Sequence, residues 1–245
     1  MFTVLECVAV QHDHAIVLLA AVICLLGMHA FFHLLLRAEE SPAGRKPYWV
    51  LVAAFAAGLS VWATHFVAML AYKGSVPIGF DFQFTALSAV LAVLGFWLAL
   101  RARSQASYSP VIVGTLVTLS VAVMHFVGMA ALRVPAVLHW DPAFVIASIV
   151  IGTLFGAAAV KLETATERTL RNRIGATMLL VLAIVGMHFT AMAAVSLVPD
   201  PRVPMPEEVI APEWLAIAIA AVTILIIALG MVGSIFDQHL ADRST

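Results

Sequence analysis

The sequence predicts an all-α polytopic membrane protein, a bundle of seven transmembrane helices, and three observations support this fold class. Hydrophobic residues make up 63% of the 245 residues and charged residues only 11%, whereas a soluble domain is about half apolar and a quarter charged. Seven apolar runs approach or exceed the ~20 residues that a spanning helix needs. The polar segments between these runs are too short to form a hydrophobic core of their own.

The predicted spans follow one another at short intervals along the chain. We place them, counted as spans 1 to 7, at about residues 14–36, 49–72, 83–101, 109–132, 143–161, 174–197 and 213–236. The longest connection, roughly 198–212, is rich in proline. We therefore expect residues 1–245 to form a single membrane domain without a soluble output domain, since only about nine residues, from Asp237 to Thr245, follow span 7.

Basic residues are distributed unevenly between the two sets of span ends. One set carries ten of them: Arg37, Arg45, Lys46, Arg101, Arg103, Lys161, Arg168, Arg171, Arg173 and Arg243. The other set carries three: Lys73, Arg133 and Arg202. Because basic residues favour the cytoplasmic side, the N-terminus is predicted outside and the C-terminus in the cytoplasm. The net charge of −1, without a basic patch, argues against a nucleic-acid partner.

A short motif recurs on alternate spans. His-Phe-Val-Ala-Met at 65–69 returns as His-Phe-Val-Gly-Met at 125–129 and as His-Phe-Thr-Ala-Met at 188–192. The spacings of 60 and 63 residues fit one helical hairpin per repeat. Each copy is followed by an outer loop with proline and aspartate: Pro77 and Asp81, Pro135 and Asp141, Pro199 and Asp200. The sequence thus predicts three repeated helix pairs plus one odd helix, and it leaves open which helix is the odd one.

The motif lies on spans 2, 4 and 6, which all run outward from the cytoplasm. At 1.5 Å per residue, His65, His125 and His188 lie about 20–25 Å from the cytoplasmic end, in the outer third of the membrane. The methionine four positions after each histidine shares its helix face, and these are Met69, Met129 and Met192. In two copies a second methionine directly precedes the histidine: Met124 and Met187.

The three histidines can be explained by packing or by a metal ion. A single membrane histidine often bonds between helices, and a methionine one turn away usually fills the core. A duplicated packing device would give the same pattern. Burying three imidazoles at one depth is costly, however, and a partner shared by all three would compensate. Imidazole binds copper and zinc, whereas thioether sulfur selects Cu(I). The pattern therefore predicts a copper cofactor, with zinc on three histidines and water as the alternative.

Span 1 and the segment before it add four histidines. His12 and His14 lie at the outer mouth of this span, within about three turns of the histidine plane, so that either is a candidate fourth ligand or is simply solvated. His29 and His33 form an H-x3-H pair on one helix face. Because span 1 runs inward, His29 lies about 15 Å below the other three histidines. This pair could bind a second metal or haem or line a polar seam, and we leave it outside the main site.

The tripled motif resembles that of the MHYT family of bacterial membrane sensor domains. The segments that carry the resemblance are Met-His-Phe-Val-Gly-Met at 124–129, Met-His-Phe-Thr-Ala-Met at 187–192 and Thr-His-Phe-Val-Ala-Met at 64–69. The resemblance extends over nearly the whole chain, with its seven spans and motifs near the outer face. The chain departs from the family name in having Phe-Val or Phe-Thr where the family has Tyr-Thr, and in having Thr64 where the other copies have methionine.

The resemblance implies a function and a set of ligands. It implies a multi-pass protein of the bacterial inner membrane that binds copper and senses a diatomic gas, O2, CO or NO, or the redox state. The copper ligands that it implies are His65, Met69, Met124, His125, Met129, Met187, His188 and Met192. Members of the family often continue into a diguanylate cyclase, a phosphodiesterase or a histidine kinase. The implied partner is therefore a cytoplasmic output domain or signalling protein.

Other functions make different demands on the residues. A copper transporter or carrier could use the same ligands, but no span is broken at paired mid-membrane positions. A structural subunit of a larger membrane complex is a further alternative. A retinal protein is excluded because its Schiff base needs a buried lysine, and Lys46, Lys73 and Lys161 fall at or beyond span ends. Without paired carboxylates, a catalytic triad or a phosphate-binding loop, we expect no enzyme activity, although redox chemistry at a bound metal stays open.

Overall fold

The computed structural model describes residues 2–74, 76–103, 109–165, 169–206 and 208–241. Within them the helices are α1 (Phe2–Val10), α2 (His14–Glu40), α3 (Lys46–Leu70), α4 (Phe82–Arg103), α5 (Pro110–Ala130), α6 (Pro142–Glu163), α7 (Leu170–Met192) and α8 (Pro212–Ala241). The strands are β1 (Gly79–Phe80), β2 (Leu132–Arg133), β3 (Ala136–Trp140) and β4 (Val195–Pro199). Two residues that supported the predicted orientation, Arg168 and Arg243, lie outside the described residues, as does the rest of the segment 242–245.

Seven of these helices, α2 to α8, are long and apolar enough to cross a membrane, which confirms the predicted fold class. Four helices, α2, α4, α6 and α8, run past their predicted ends. α2 continues to Glu40 and α6 to Glu163, because carboxylates in their last turns are paired with Arg103 instead of forming a solvated loop. The predicted end of span 6 was wrong. α7 stops at Met192, since the next apolar residues form β4 and pair with β3.

Side-chain caps fix the starts of most of the spanning helices. Asp13 accepts hydrogen bonds from the backbone N–H groups of the first turn of α2, and Asp81 and Asp141 do the same for α4 and α6. Ser109 and Thr169 cap α5 and α7 in the same way. These side chains satisfy N–H groups that have no partner inside the helix. The caps also alternate, with aspartate at one end of the bundle and a hydroxyl at the other.

Six of the spanning helices form a closed ring. Each helix from α2 to α7 packs against the next one, and α7 packs against α2. α8 lies outside this ring, against α2 and α3. The ring thus consists of three successive pairs, α2–α3, α4–α5 and α6–α7, with α8 packed outside it.

The two ends of the ring are held by different helices. We call the end at which α3, α5 and α7 finish the motif end. There the motif helices approach one another, with direct contacts of α5 to α3 and to α7. At the opposite end, α2, α4 and α6 meet through Arg103, whose guanidinium pairs with Glu39 at 2.5 Å and with Glu163. Glu163 is buried, with 6% of its side chain exposed.

The loops at the motif end form a small cap that the sequence did not predict. β1 pairs with β2 and β3 with β4, and His12 forms an isolated bridge with Tyr72. In each repeat the N–H of the capping aspartate donates to an alanine carbonyl just after the motif helix, at 2.8–2.9 Å: Asp13 to Ala71, Asp81 to Ala131 and Asp141 to Ala194. Asp13 is thus structurally equivalent to Asp81 and Asp141, whereas Asp200 pairs with Arg202 within its own loop.

Candidate metal centre

The structure brings the three motif histidines together at the centre of the ring. His65, His125 and His188 each lie four or five residues before the end of α3, α5 and α7. All three are buried, with 3%, 0% and 5% of their surface exposed. The equal position along three parallel helices therefore places their rings on one level, as the sequence predicted.

The three rings face one another through the same nitrogen. The Nδ1–Nδ1 separations are 3.2 Å between His65 and His125, 3.2 Å between His125 and His188, and 3.3 Å between His188 and His65. The ring planes are steeply inclined to one another, at 77–89°. This arrangement is a compact propeller in which each ring turns one nitrogen to the common axis.

The separations of the Nδ1 atoms suit a metal ion. A point equidistant from three such atoms lies about 1.9 Å from each, close to the roughly 2.0–2.1 Å of a zinc–imidazole bond. Among the described histidines, cysteines and acidic residues, these three form the one group whose ligand atoms all lie within 4.8 Å of one another. Three nitrogen ligands leave a fourth coordination position, as in metal sites that bind a further ligand.

The second ring nitrogens give the same indication. A neutral imidazole carries one proton, so that an Nδ1 atom with a free lone pair requires the proton on Nε2. The Nε2 atoms of all three histidines are buried and lack a hydrogen-bond partner among the described residues. Burying polar atoms in this way is costly unless something else holds the rings in place. A cation shared by the Nδ1 atoms would do so.

Gly128 provides the space for the ring of His65. A Cβ atom at this position would lie 2.6 Å from the Nε2 atom of His65, well inside the closest normal contact. The corresponding positions in the other two motif copies are Ala68 and Ala191. The glycine in the second copy therefore has a steric role in the site. The sequence showed this difference between the copies, but only the packing of α3 against α5 explains it.

The two sets of methionines lie in different surroundings. Met69, Met129 and Met192, one turn beyond the histidines on the same face, are buried, with 1–5% of their surface exposed. The positions directly before the histidines are turned about 100° around the helix. There Met187 packs towards Gly152 of α6, whose hypothetical Cβ would lie 3.3 Å from the Cγ atom of Met187. Met124 has the same place in the motif of α5 and is fully buried.

His12 lies beside the cluster but does not belong to it. Its side chain is 1% exposed, and its Nδ1 atom is 2.7 Å from the carbonyl oxygen of Cys7. Because a carbonyl can only accept, Nδ1 donates, which leaves a lone pair on a buried Nε2 atom that has no partner among the described residues. Burial lowers the pKa of His12, against the weaker raising effect of this hydrogen bond.

The three histidines of α2 lie away from the cluster. His14 is exposed, and its Nε2 atom donates to the carbonyl oxygen of Ala9 at 3.0 Å. The sequence analysis gave His14 as a candidate fourth metal ligand, but the structure places it outside the histidine cluster. His29 is exposed and His33 half-buried, both towards the opposite end of the bundle.

An aromatic layer lies next to the histidines, and sequence reasoning missed it. Each motif phenylalanine contacts the histidine before it, with ring centroids 4.7–5.0 Å apart. Each also contacts a second ring, which belongs to the residue directly before a capping aspartate. These pairs are Phe66 with Phe80, Phe126 with Trp140 and Phe189 with His12. The layer shows the threefold repetition of the site.

One family model matches most of the chain. The MHYT family, described as the bacterial signalling protein N terminal repeat, matches three times, at residues 58–115, 119–176 and 182–240. Each match contains one motif histidine and the helix that follows it. This result confirms the resemblance that was inferred from the motif.

Curated relatives are signalling proteins of bacteria. An uncharacterized signaling protein of Caulobacter vibrioides is 36% identical over 248 residues, which cover all of this chain and 30% of that protein. The bifunctional diguanylate cyclase/cyclic di-GMP phosphodiesterase MucR of Pseudomonas aeruginosa is 30% identical over 96% of this chain and 35% of MucR. The cyclic di-GMP phosphodiesterase NbdA of the same organism is 36% identical over 61% of this chain and 20% of NbdA. The chain thus spans about a third or less of these relatives. No solved structure shows a significant match.

Proposed function

This chain belongs to the MHYT family of bacterial signalling proteins, and from that premise we propose that it is a membrane sensor domain that holds a copper ion on His65, His125 and His188. The observation that carries the proposal is the mutual approach of three buried Nδ1 atoms to 3.2–3.3 Å. A purely structural histidine normally bonds a backbone or side-chain group of a neighbouring helix. Here each imidazole has the other two as its nearest polar groups, which favours a shared ion.

The residues around the histidines favour copper over zinc. Three of the five motif methionines lie one turn away on the same helix face and are buried with the histidines. Thioether sulfur is a soft ligand that prefers Cu(I), whereas zinc sites are built from cysteine, histidine and carboxylate. Among the described residues, no carboxylate or cysteine joins the three histidines. Zinc on three histidines is the alternative, and a metal analysis of the purified protein distinguishes the two ions.

The proposed signal is a diatomic gas, O2, CO or NO, or a change of redox state. When bound, copper supplies an open coordination position and reversible one-electron chemistry. The protein contributes a dry site, because the histidines are almost fully buried and the aromatic layer lies next to them. Such surroundings exclude bulky or charged ligands and admit small neutral molecules.

The bundle offers a route from the site to its opposite end. The histidines connect α3, α5 and α7 at the motif end, and Arg103 connects α2, α4 and α6 at the other. Since the six helices form one closed ring, a change in the spacing of the histidines alters the packing of the partner helices. A ligand shifts the bundle only if it binds two arrangements with different affinity. The Arg103 pairs would differ between those arrangements.

The output is proposed to be cyclic di-GMP signalling in the cytoplasm. MucR and NbdA carry names that refer to cyclic di-GMP synthesis or hydrolysis, and this chain matches only 35% and 20% of their lengths. We assign those activities to the parts of the relatives that this chain does not match. In this arrangement the motif end faces outward and the opposite end faces the cytoplasm of the bacterial cell, as the distribution of basic residues predicts.

The metal content of the purified full chain tests the proposal. We expect about one copper per chain in the unaltered protein and none in His125→Ala, because two imidazoles and a cavity bind a soft ion far more weakly. His139→Ala is the matched control, since His139 is an exposed histidine on β3 at the same end of the protein. Addition of CO to the reduced protein should change the spectrum of the copper form alone. Protein without metal, or equal copper in His125→Ala, would refute the proposal.

A further inference from the structure

A groove between α2 and α7 lies in the half of the bundle away from the histidines. Its volume is about 280 Å³, and its walls are mainly apolar. Leu26, Phe32 and Ile174 are among the residues that form them. Leu26 and Ile174 are about half exposed, at 49% and 52%, as expected for side chains that face lipid. The groove marks the seam at which the first and last helices of the ring meet.

Three polar side chains line this apolar groove, and one of them, Thr177, donates its hydroxyl to the carbonyl oxygen of Arg173. His29 of α2 is exposed, and Arg173 of α7 is half-buried. Within the described part of the chain, neither side chain forms a hydrogen bond or an ion pair. Arg173 is the fourth residue of α7, so that its Cα atom lies about 5 Å from the start of the helix, near the expected membrane surface. A guanidinium at such a position seeks an anion, because the apolar walls offer no compensation.

From this combination we infer that the groove binds an anionic phospholipid of the leaflet on that side. The guanidinium of Arg173 would bind the phosphate, since its planar group of N–H donors suits phosphate oxygens. The imidazole of His29, which lines the same groove, would donate to an ester carbonyl of that lipid. One acyl chain would then cover the leucine and isoleucine side chains of the walls. The inference does not depend on the metal site, because the groove lies in the other half of the bundle.

The expected role of the lipid is to close the seam between α2 and α7. α7 carries His188, and α2 carries Glu39 of the Arg103 cluster. A lipid between α2 and α7 would therefore contact one helix of the histidine cluster and one helix of the Arg103 cluster. The identity of the head group would therefore affect how firmly the two helices are held together.

The test is native mass spectrometry of the full chain in detergent with added lipid. Phosphatidylglycerol and phosphatidylcholine with the same acyl chains differ in net charge and head group, and we expect phosphatidylglycerol to bind more tightly by about fivefold, as one basic residue at a membrane surface allows. Arg173→Gln should remove this preference, and Arg173→Lys should retain it. Arg171→Gln is the matched control, because Arg171 is exposed on the same helix and does not line the groove.

Three results would overturn the inference. Equal binding of the two lipids by the unaltered protein would mean that the groove takes any acyl chain. An unchanged preference in Arg173→Gln would place the site elsewhere. An equal loss in Arg171→Gln would show a general attraction of anionic lipid to the basic surface. Equal binding of the two lipids by the unaltered protein would overturn the inference even if a variant does not fold.

Discussion

The ring of His12 packs edge-on against the ring of Phe189, with the two centroids 5.3 Å apart. The equivalent pairs of the other repeats are apolar, with Phe80 against Phe66 at 5.6 Å and Trp140 against Phe126 at 5.7 Å. A titratable ring therefore occupies one of three equivalent positions in the layer next to the histidines. The asymmetry makes His12 the position at which the surroundings of the site can respond to pH.

His12→Phe should make the stability of the metal-free protein less sensitive to pH. Burial lowers the pKa of His12 in the folded state, so the unfolded chain, with a pKa near 6.5, binds more protons in the interval between the two values. Stability is therefore lost as the pH falls from about 7.5 through 6.5 towards the folded pKa. Thermal unfolding at pH 7.5 and 5.5 measures this loss, which should be smaller in His12→Phe. Equal losses in both proteins would contradict the prediction.

Gly128→Ala should disrupt the histidine cluster while α5 remains helical. Alanine is the better helix former by up to about 1 kcal/mol, but its Cβ would lie 2.6 Å from the Nε2 atom of His65 and push that ring out of place. We expect metal affinity to fall by about 10-fold or more, the effect of disturbing a ligand's surroundings. Equilibrium competition with a chelator measures this. Gly44→Ala is the control, because a Cβ there has no neighbour within 4 Å, and equal affinities would refute the prediction.

Local patterns in the sequence were sufficient to predict the spans and the core of the site. Long apolar runs define spanning helices, since the bilayer requires a fixed length. The level of His65, His125 and His188 followed from counting residues along three helices of the same direction. Their direct contact follows from the ring of helices, which brings equal levels to one axis. The proposed ligand set thus depends mainly on local information.

The cap and the ends of the helices depend on contacts distant in sequence. Pairing of β3 with β4 joins segments about 60 residues apart, and it converted the end of a predicted span into a strand. Glu39 and Glu163 read as loop residues until Arg103 is placed between them. The equivalence of Asp13 with Asp81 and Asp141 was hidden because Asp13 precedes the first motif copy, whereas the other two aspartates each follow one. None of these partners is visible in a local window of sequence.

The two sets of methionines should differ in their effect on copper. Met129→Leu removes a thioether one turn from His125 on the same face, and we expect it to lower the affinity for Cu(I) relative to Zn²⁺. Met124→Leu should leave both affinities unchanged, because the position before the histidine is turned about 100° away around the helix. Both residues are buried and the exchange conserves volume, so that stability should change by less than about 1.5 kcal/mol in either variant. Competition with a Cu(I) chelator measures the affinity, and equal effects of the two substitutions would contradict the assignment.

Arg103→Gln should destabilise the end of the bundle opposite the histidines. The guanidinium pairs with Glu39 and with the buried Glu163, and its removal leaves two carboxylates without their counter-ion. Loss of a partner costs about 3–5 kcal/mol in a fully buried pair, and because 15% of Arg103 and 24% of Glu39 remain exposed we expect about 2 kcal/mol in unfolding free energy.

Chemical unfolding in detergent measures this loss. Arg202→Gln is the control: Arg202 also pairs with a carboxylate, that of Asp200, but 90% of its side chain is exposed, so its removal should leave the stability essentially unchanged. Adding Glu163→Gln to Arg103→Gln removes the buried charge and should restore part of the stability, because the neutral amide tolerates burial better than an unpaired carboxylate. Equal losses in Arg103→Gln and Arg202→Gln would show that the pairs do not hold α2, α4 and α6 together.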